Sequence, residues 1–238
     1  MINQIFSRLH RNLAPAAAAA FIVTLALHDA AAPALADTKA APAAAVPGGS
    51  STLNPGPSIT GFRNAEFGMT QEQVRKAVES EFKLPASAIS QGMNAIQHTG
   101  MLNVQVPDLI PGGGIAHVSY IFGYQSHKLM EINVVWSKAA DPKTTAQQLY
   151  QNGESLQQYF AGEGFPPQRS TGNIVTANGL LLFRATDPTG NAVLLILSGA
   201  VAKDQKSDKS TLDPAALTLV YAADPQHPDV FQLNKGSF

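Results

Sequence analysis

Apolar and polar positions along this chain follow two different periods, and the period changes at recognisable punctuation. Val74, Ala77, Val78 and Phe82 recur at i, i+3, i+4 and i+8, with Glu72, Arg75, Lys76 and Glu79 on the opposite side. That spacing predicts a helix with one buried face. Thr70 stands just before it and Gln73 three residues later, so each side chain can accept a hydrogen bond from the other's backbone N–H, which is a capping box. Gly68 leaves the approaching turn unhindered, Phe67 and Met69 are placed to pin it to a core, and Leu84-Pro85 closes the helix. A short helical piece over residues 86–89 follows.

The period then drops to two. Val118, Tyr120 and Phe122 alternate with Ser119 and Ile121, and Met130, Ile132, Val134 and Trp136 alternate with Glu131, Asn133 and Val135. Joined through the turn Gly123-Tyr124-Gln125-Ser126, these runs predict an antiparallel hairpin. A weaker strand over 102–106 ends at Pro107. Asp141-Pro142 predicts a second helix entrance, with proline tolerated in the first turn. Leu149, Leu156, Tyr159 and Phe160 give that helix its apolar stripe, and Gly162 and Gly164 end it. Strands over 180–185, 192–198 and 217–222 follow, the first two joined by the turn Asp187-Pro188-Thr189-Gly190. Helix followed by three strands thus occurs twice, over residues 61–138 and 139–238. The fold class is α+β, an antiparallel sheet with helices packed on one face, and its arrangement allows two tandem helix-plus-three-strand units.

The stretch GMTQEQV, residues 68–74, resembles the helix entrance in the SmpA/OmlA (BamE-like) group of small envelope proteins. The helix-then-hairpin order also resembles the beta-lactamase-inhibitor-protein-like superfamily, in which two such units lie in tandem. The resemblance implies a binding or scaffolding role and protein contacts in the envelope. Two departures stand beside it: the chain has no lipoprotein cysteine, and it is about twice the length of one such unit.

Composition adds a compartment. Arg8, His10 and Arg11 precede an apolar, alanine-rich run over 13–27, and Ala34-Leu35-Ala36 comes before Asp37. This is the layout of a secretory signal peptide over residues 1–36, cleaved after Ala36. Its apolar run, broken by Pro15 and by His28-Asp29, is shorter than the roughly 20 residues of a membrane-spanning helix, and no later run reaches that length. Localisation is therefore expected to be periplasmic or secreted, with no transmembrane span after cleavage. Residues 37–60 are rich in Ala, Pro, Gly and Ser with few large apolar side chains, the composition of a flexible tether. The α+β domain then occupies 61–238. The chain has no cysteine, which excludes disulfides, thiolate metal sites and lipidation at an N-terminal cysteine. With 16 Lys and Arg against 17 Asp and Glu and a net charge of −1, it carries no basic excess that would draw nucleic acid or anionic lipid.

Candidate chemistry is sparse. His117 and His127 flank the first hairpin turn, a placement that allows them to face each other across it. Two histidines without a third ligand make a poor zinc site, and polar strand edges are the simpler reading. His98 and His227 fall in loops. Residues 204–213, DQKSDKSTLD, hold lysine at a ligand position and no closing glutamate, so they read as a solvated loop rather than a calcium loop. PGGGIAH, residues 111–117, is followed by a strand pattern rather than Lys-Ser/Thr and a helix, so it reads as a turn and not a phosphate cradle. Neither G-x-S-x-G nor H-E-x-x-H occurs. Tyr120, Phe122, Trp136, Tyr159 and Phe160 read as mostly core.

The sequence points to no catalytic residue, no cofactor and no metal. His117, His127 and Glu131 remain the candidate ligand or partner surface. The expected function is a non-catalytic binding or scaffolding protein of the bacterial cell envelope whose partner is another envelope protein. The alternative is a periplasmic small-ligand carrier or hydrolase whose site is assembled from those scattered residues.

Overall fold

The computed structural model describes residues 56–203, 210–233 and 236. The expected signal peptide, most of the tether and the first six residues of the 204–213 segment lie outside the described residues. The elements are β1 (Gly61–Phe62), β2 (Ala65–Glu66), α1 (Gln71–Phe82), a 3-10 turn (Ala86–Ala88), β3 (Ser90–Asn94), β4 (Thr99–Pro107), β5 (Ile115–Phe122), β6 (Leu129–Ser137), α2 (Ala146–Gly162), β7 (Ser170–Thr171), β8 (Ile174–Thr176), β9 (Gly179–Thr186), β10 (Ala192–Lys203) and β11 (Ser210–Ala222). The class is α+β. All main strands join one antiparallel sheet of order β3-β4-β5-β6-β11-β10-β9-β7, with β8 also paired to β9. The last strands of the two predicted halves, β6 and β11, meet at its centre.

α1 begins where its capping box predicts. Thr70 Oγ1 accepts from Gln73 N–H at 3.3 Å and Gln73 Oε1 accepts from Thr70 N–H at 2.8 Å. It ends at Phe82, and the next residue, Lys83, caps it with a φ of 52° that turns the chain left-handed. Val74 and Val78 of α1 and Leu149 and Phe160 of α2 belong to the same buried cluster as Leu102, Tyr120, Ile132, Trp136, Leu195 and Leu217. Both helices therefore cover one face of one sheet, and period-two alternation sends the intervening side chains to the other face.

Three expectations change. Asp141-Pro142 does not open α2. The Asp141 carboxylate accepts from Lys143 N–H at 2.9 Å and forms a turn, and Thr145 caps the helix by accepting from Gln148 N–H at 3.1 Å. Tyr159 is 58% exposed rather than core. The second-half strands also run past their predicted ends, and β11 already includes Ser210 to Asp213, read as loop from sequence. The pattern was masked there by Pro214, which a bulge accommodates: register shifts between Ser198 and Gly199, and Gly199 lies opposite Pro214. A Cβ at Gly199 would strike Asp213 O.

Candidate functional site

The helix-free face is the place to look for chemistry, because the other face is closed by packing. In β5, Ala116, Val118, Tyr120 and Phe122 enter the core, which turns His117, Ser119 and Ile121 outward; in β6, Ile132, Val134 and Trp136 enter it, which turns Glu131, Asn133 and Val135 outward. Strand register aligns these residues into a transverse row. Ser90, Asn103, Ser119 and Asn133 lie opposite one another across β3 to β6. The row continues through Val220 and Leu194 to Arg184 and Thr171 at the far side.

The polar half of the row is linked but incompletely satisfied. Ser119 Oγ donates to Asn103 Oδ1 at 2.7 Å, and Asn133 Nδ2 donates to Glu131 Oε1 at 2.8 Å. Asn133 Oδ1 and His117 Nε2 are buried with no hydrogen-bond partner among the described residues. Thr99 Oγ1 and, on the helix side, Trp136 Nε1 share that condition, so unpaired buried atoms are not confined to this face. Glu131 is 5% exposed. Burial pushes its carboxyl up to about 7, against the opposing pull of the Asn133 amide. Burial alone pushes the His117 imidazole down. A cavity of about 20 Å³, room for one water molecule, is lined by Glu131, Val220, Leu194, Pro225 and Pro228 among others.

Those prolines belong to the segment that follows β11 and straps the end of the sheet. Tyr124 N–H donates to Asp229 O at 2.7 Å, and the Asp229 carboxylate accepts from the N–H groups of Gln125 and Ser126 at 3.0 and 2.8 Å. Phe231 then stacks on His98 with ring centroids 4.4 Å apart. His227 pairs with Asp224 at 3.1 Å in an exposed turn. None of these contacts brings a nucleophile to a base.

The predicted trio separates. His117 and Glu131 do share the helix-free face, but His117 lies opposite Val135 and Glu131 opposite Ile121, which puts them roughly 14 Å apart at about 3.4 Å per residue along a strand. His127 does not face His117. It sits exposed in the connection between β5 and β6 with a left-handed φ of 52°, whereas His117 lies five residues before the end of β5. A hairpin turn aligns only the residues flanking it, and His117 is too far back along its strand. The only hydrogen bond Ser119 Oγ makes among the described residues goes to Asn103 rather than to an imidazole, so the geometry holds no serine–histidine pair at this point. Among the described residues no three His, Asp or Glu side chains converge as a metal site. Asn103, Ser119, Asn133 and Arg184 were missed from sequence. Their signal was there, polar residues at the non-core positions of strands with apolar neighbours, but register between strands is needed to see that they align.

The edges of the sheet differ. β3 is a five-residue edge strand, SQGMN, with no charge and no proline. Met93 on it is 69% exposed and Ile96 just beyond it 84%. The opposite edge is broken into β7 and β8 around Asn173, whose φ is 57°. Uncharged, unbroken edges are what folded proteins usually avoid, because their free backbone groups template further pairing.

No family model, curated protein or solved structure matches the chain. Among the described residues no helix is long and apolar enough to cross a membrane.

Proposed function

We propose that this chain is an exported, non-catalytic binding module of the bacterial cell envelope, and that its partner is another envelope protein presenting an extended segment to β3. The observation that carries the reading is the unprotected edge: an uncharged, proline-free strand with Met93 and Ile96 exposed beside it, which suits recognition by strand addition. Backbone pairing supplies affinity in this mode, and the flanking apolar side chains supply selectivity. The signal-like start supports export, and the resemblance of residues 68–74 to the SmpA/OmlA group supports an envelope partner.

The test uses the full chain in cells, with a photo-crosslinking amino acid placed in turn at Gln91, Met93 and, as a control on α2, Tyr150. A discrete adduct from positions 91 and 93, lost on Gly92→Pro and absent from position 150, is expected, together with a mature protein in the periplasm that begins after Ala36. Equal labelling from all three positions, or a cytosolic protein retaining Met1, would contradict the reading. The separation of His117 from His127 gives the hydrolase form of the alternative no support from that pair. The carrier form is favoured by a cleft at the other end of the sheet.

A further inference from the structure

Near its far end the transverse row carries a positive charge that meets no acid among the described residues. Alternation in β9 places Arg184 on the helix-free face, between Leu194 of β10 and Thr171 of β7. Its guanidinium is partly buried, and among the described residues no carboxylate lies within ion-pair distance of it. Burial lowers its pKa with no opposing acid. Asp187, three residues on, is already committed, accepting from Ile59 N–H at 2.9 Å and from Thr189 and Asn191. A partly desolvated cation without a counter-charge destabilises a fold, and an arginine is the side chain whose planar fork fits a carboxylate or phosphate with two parallel hydrogen bonds.

Arg184 opens into a cleft of about 560 Å³ that it shares with Arg169, Thr171, Thr186, Leu194 and Pro225. That volume lies within the range of small-molecule sites. Arg169 comes from the segment before β7 and lines the same cleft, and it too has no acidic partner among the described residues. Leu194, opposite Arg184 in the register, and Ala192 give the cleft an apolar part of its lining. The chain as a whole carries a net charge of −1, so two unpaired arginines around one concavity are a local feature and not a consequence of a basic surface.

We propose that this cleft binds an organic anion, a carboxylate or phosphate ester with a small apolar body, its charged group on Arg184 and Arg169 and its body over Leu194. The site lies at the edge of the sheet opposite β3 and stands independently of the strand-addition reading.

Calorimetric titration of the full chain with 2-naphthoate, 2-naphthyl phosphate and the neutral 2-naphthamide tests it. At least one of the two anions is expected to bind, with the amide at least tenfold weaker. Arg184→Gln is expected to weaken the anion about tenfold or more and to bring it level with the amide, and Arg184→Lys to fall between. Because Arg184→Gln removes an unpaired charge, the variant is expected to melt no lower than the parent, so lost binding is not lost fold. Binding of neither anion, equal binding of the amide, or unchanged anion binding in Arg184→Gln would each overturn the proposal. The crosslink from Met93 is expected to persist in Arg184→Gln, which separates failure at the cleft from failure at β3.

Discussion

Two neighbouring rows cross the same strands one residue apart and have opposite characters. On the helix side, Leu102, Tyr120, Ile132, Tyr221, Val193 and Ala185 line up from β4 to β9. One residue along each strand, on the free side, the row reads Asn103, Ser119, Asn133, Val220, Leu194 and Arg184. Backbone pairing is common to both, so what differs is what each face is for. The helix side is filled by apolar side chains whose burial stabilises the fold at roughly 25 cal/mol per Å². The free side instead places polar groups among its buried and half-buried positions, the Glu131 carboxyl, the Asn133 amide, the His117 imidazole and the Arg184 guanidinium, where desolvation has to be offset by hydrogen bonds or charge.

The sharpest way to break this contrast is to put a charge on the helix side. Val74 is fully buried against the sheet, so Val74→Asp is expected to cost on the order of 4 kcal/mol through an unpaired buried charge. A denaturant melt that shifts no more than for a surface substitution would show that α1 is not docked.

Glu131 gives the next largest effect, with the opposite sign. In the folded state its carboxyl keeps its proton to about pH 7, against an ordinary value of 4.5. Between those values the folded chain holds a proton that the unfolded chain has released, so the stabilisation is complete below pH 4.5 and is lost as pH rises through 7. The loss is about 1.4 kcal/mol per pH unit and on the order of 3 kcal/mol across the interval. Glu131→Gln is expected to be the more stable protein at pH 8 by that order, and the two are expected to converge near pH 4.5. Taking the difference between them removes the contribution of His117, whose burial acts in the other direction. Parallel stability curves for the two proteins would contradict the assignment.

A smaller effect sharpens the helix side. Thr70→Ala removes one cap of α1 and is expected to cost about 1 kcal/mol, well below Val74→Asp. Equal costs would mean that local capping, not packing on the sheet, holds the helix. Smallest of all, Lys76→Ala breaks an exposed i,i+4 pair with Glu72 at 2.7 Å, where solvent screens the attraction, and is expected to shift the same melts less than Thr70→Ala does; a shift as large as that of Thr70→Ala would contradict this.

The helix side was legible in the sequence for a physical reason. A capping box and a 3.6-residue stripe are local patterns, so Thr70, Gln73, Val74 and Val78 announce α1 without reference to any other segment. The alternation in β5 and β6 announces the hairpin in the same way. The free side was legible only as single residues. Glu131 and His117 stand out as polar residues in apolar strands, yet whether they meet depends on register across strands, and spacing from a turn misplaced His127 as their neighbour. Asn103, Ser119 and Asn133 come from three strands, and Arg184 and Arg169 converge only because β7 folds back along β9. Pro214 hid the first part of β11 because a proline within a strand reads as a break until the bulge at Gly199 is seen. The start of α2 was misplaced because Asp141-Pro142 is a good helix opening by local rules, while Thr145 is the residue that caps.

The contrast between the two faces requires that the free face hold desolvated polar groups, Glu131 foremost. It is tested most directly by following the Glu131 carboxyl carbon by NMR as pH is varied, with Glu131→Gln identifying the resonance. A midpoint near 7 is expected from its burial beside Asn133. A midpoint near 4.5, the value of a carboxyl in water, would show that this face is solvated like any other surface and would contradict the contrast drawn between the two faces.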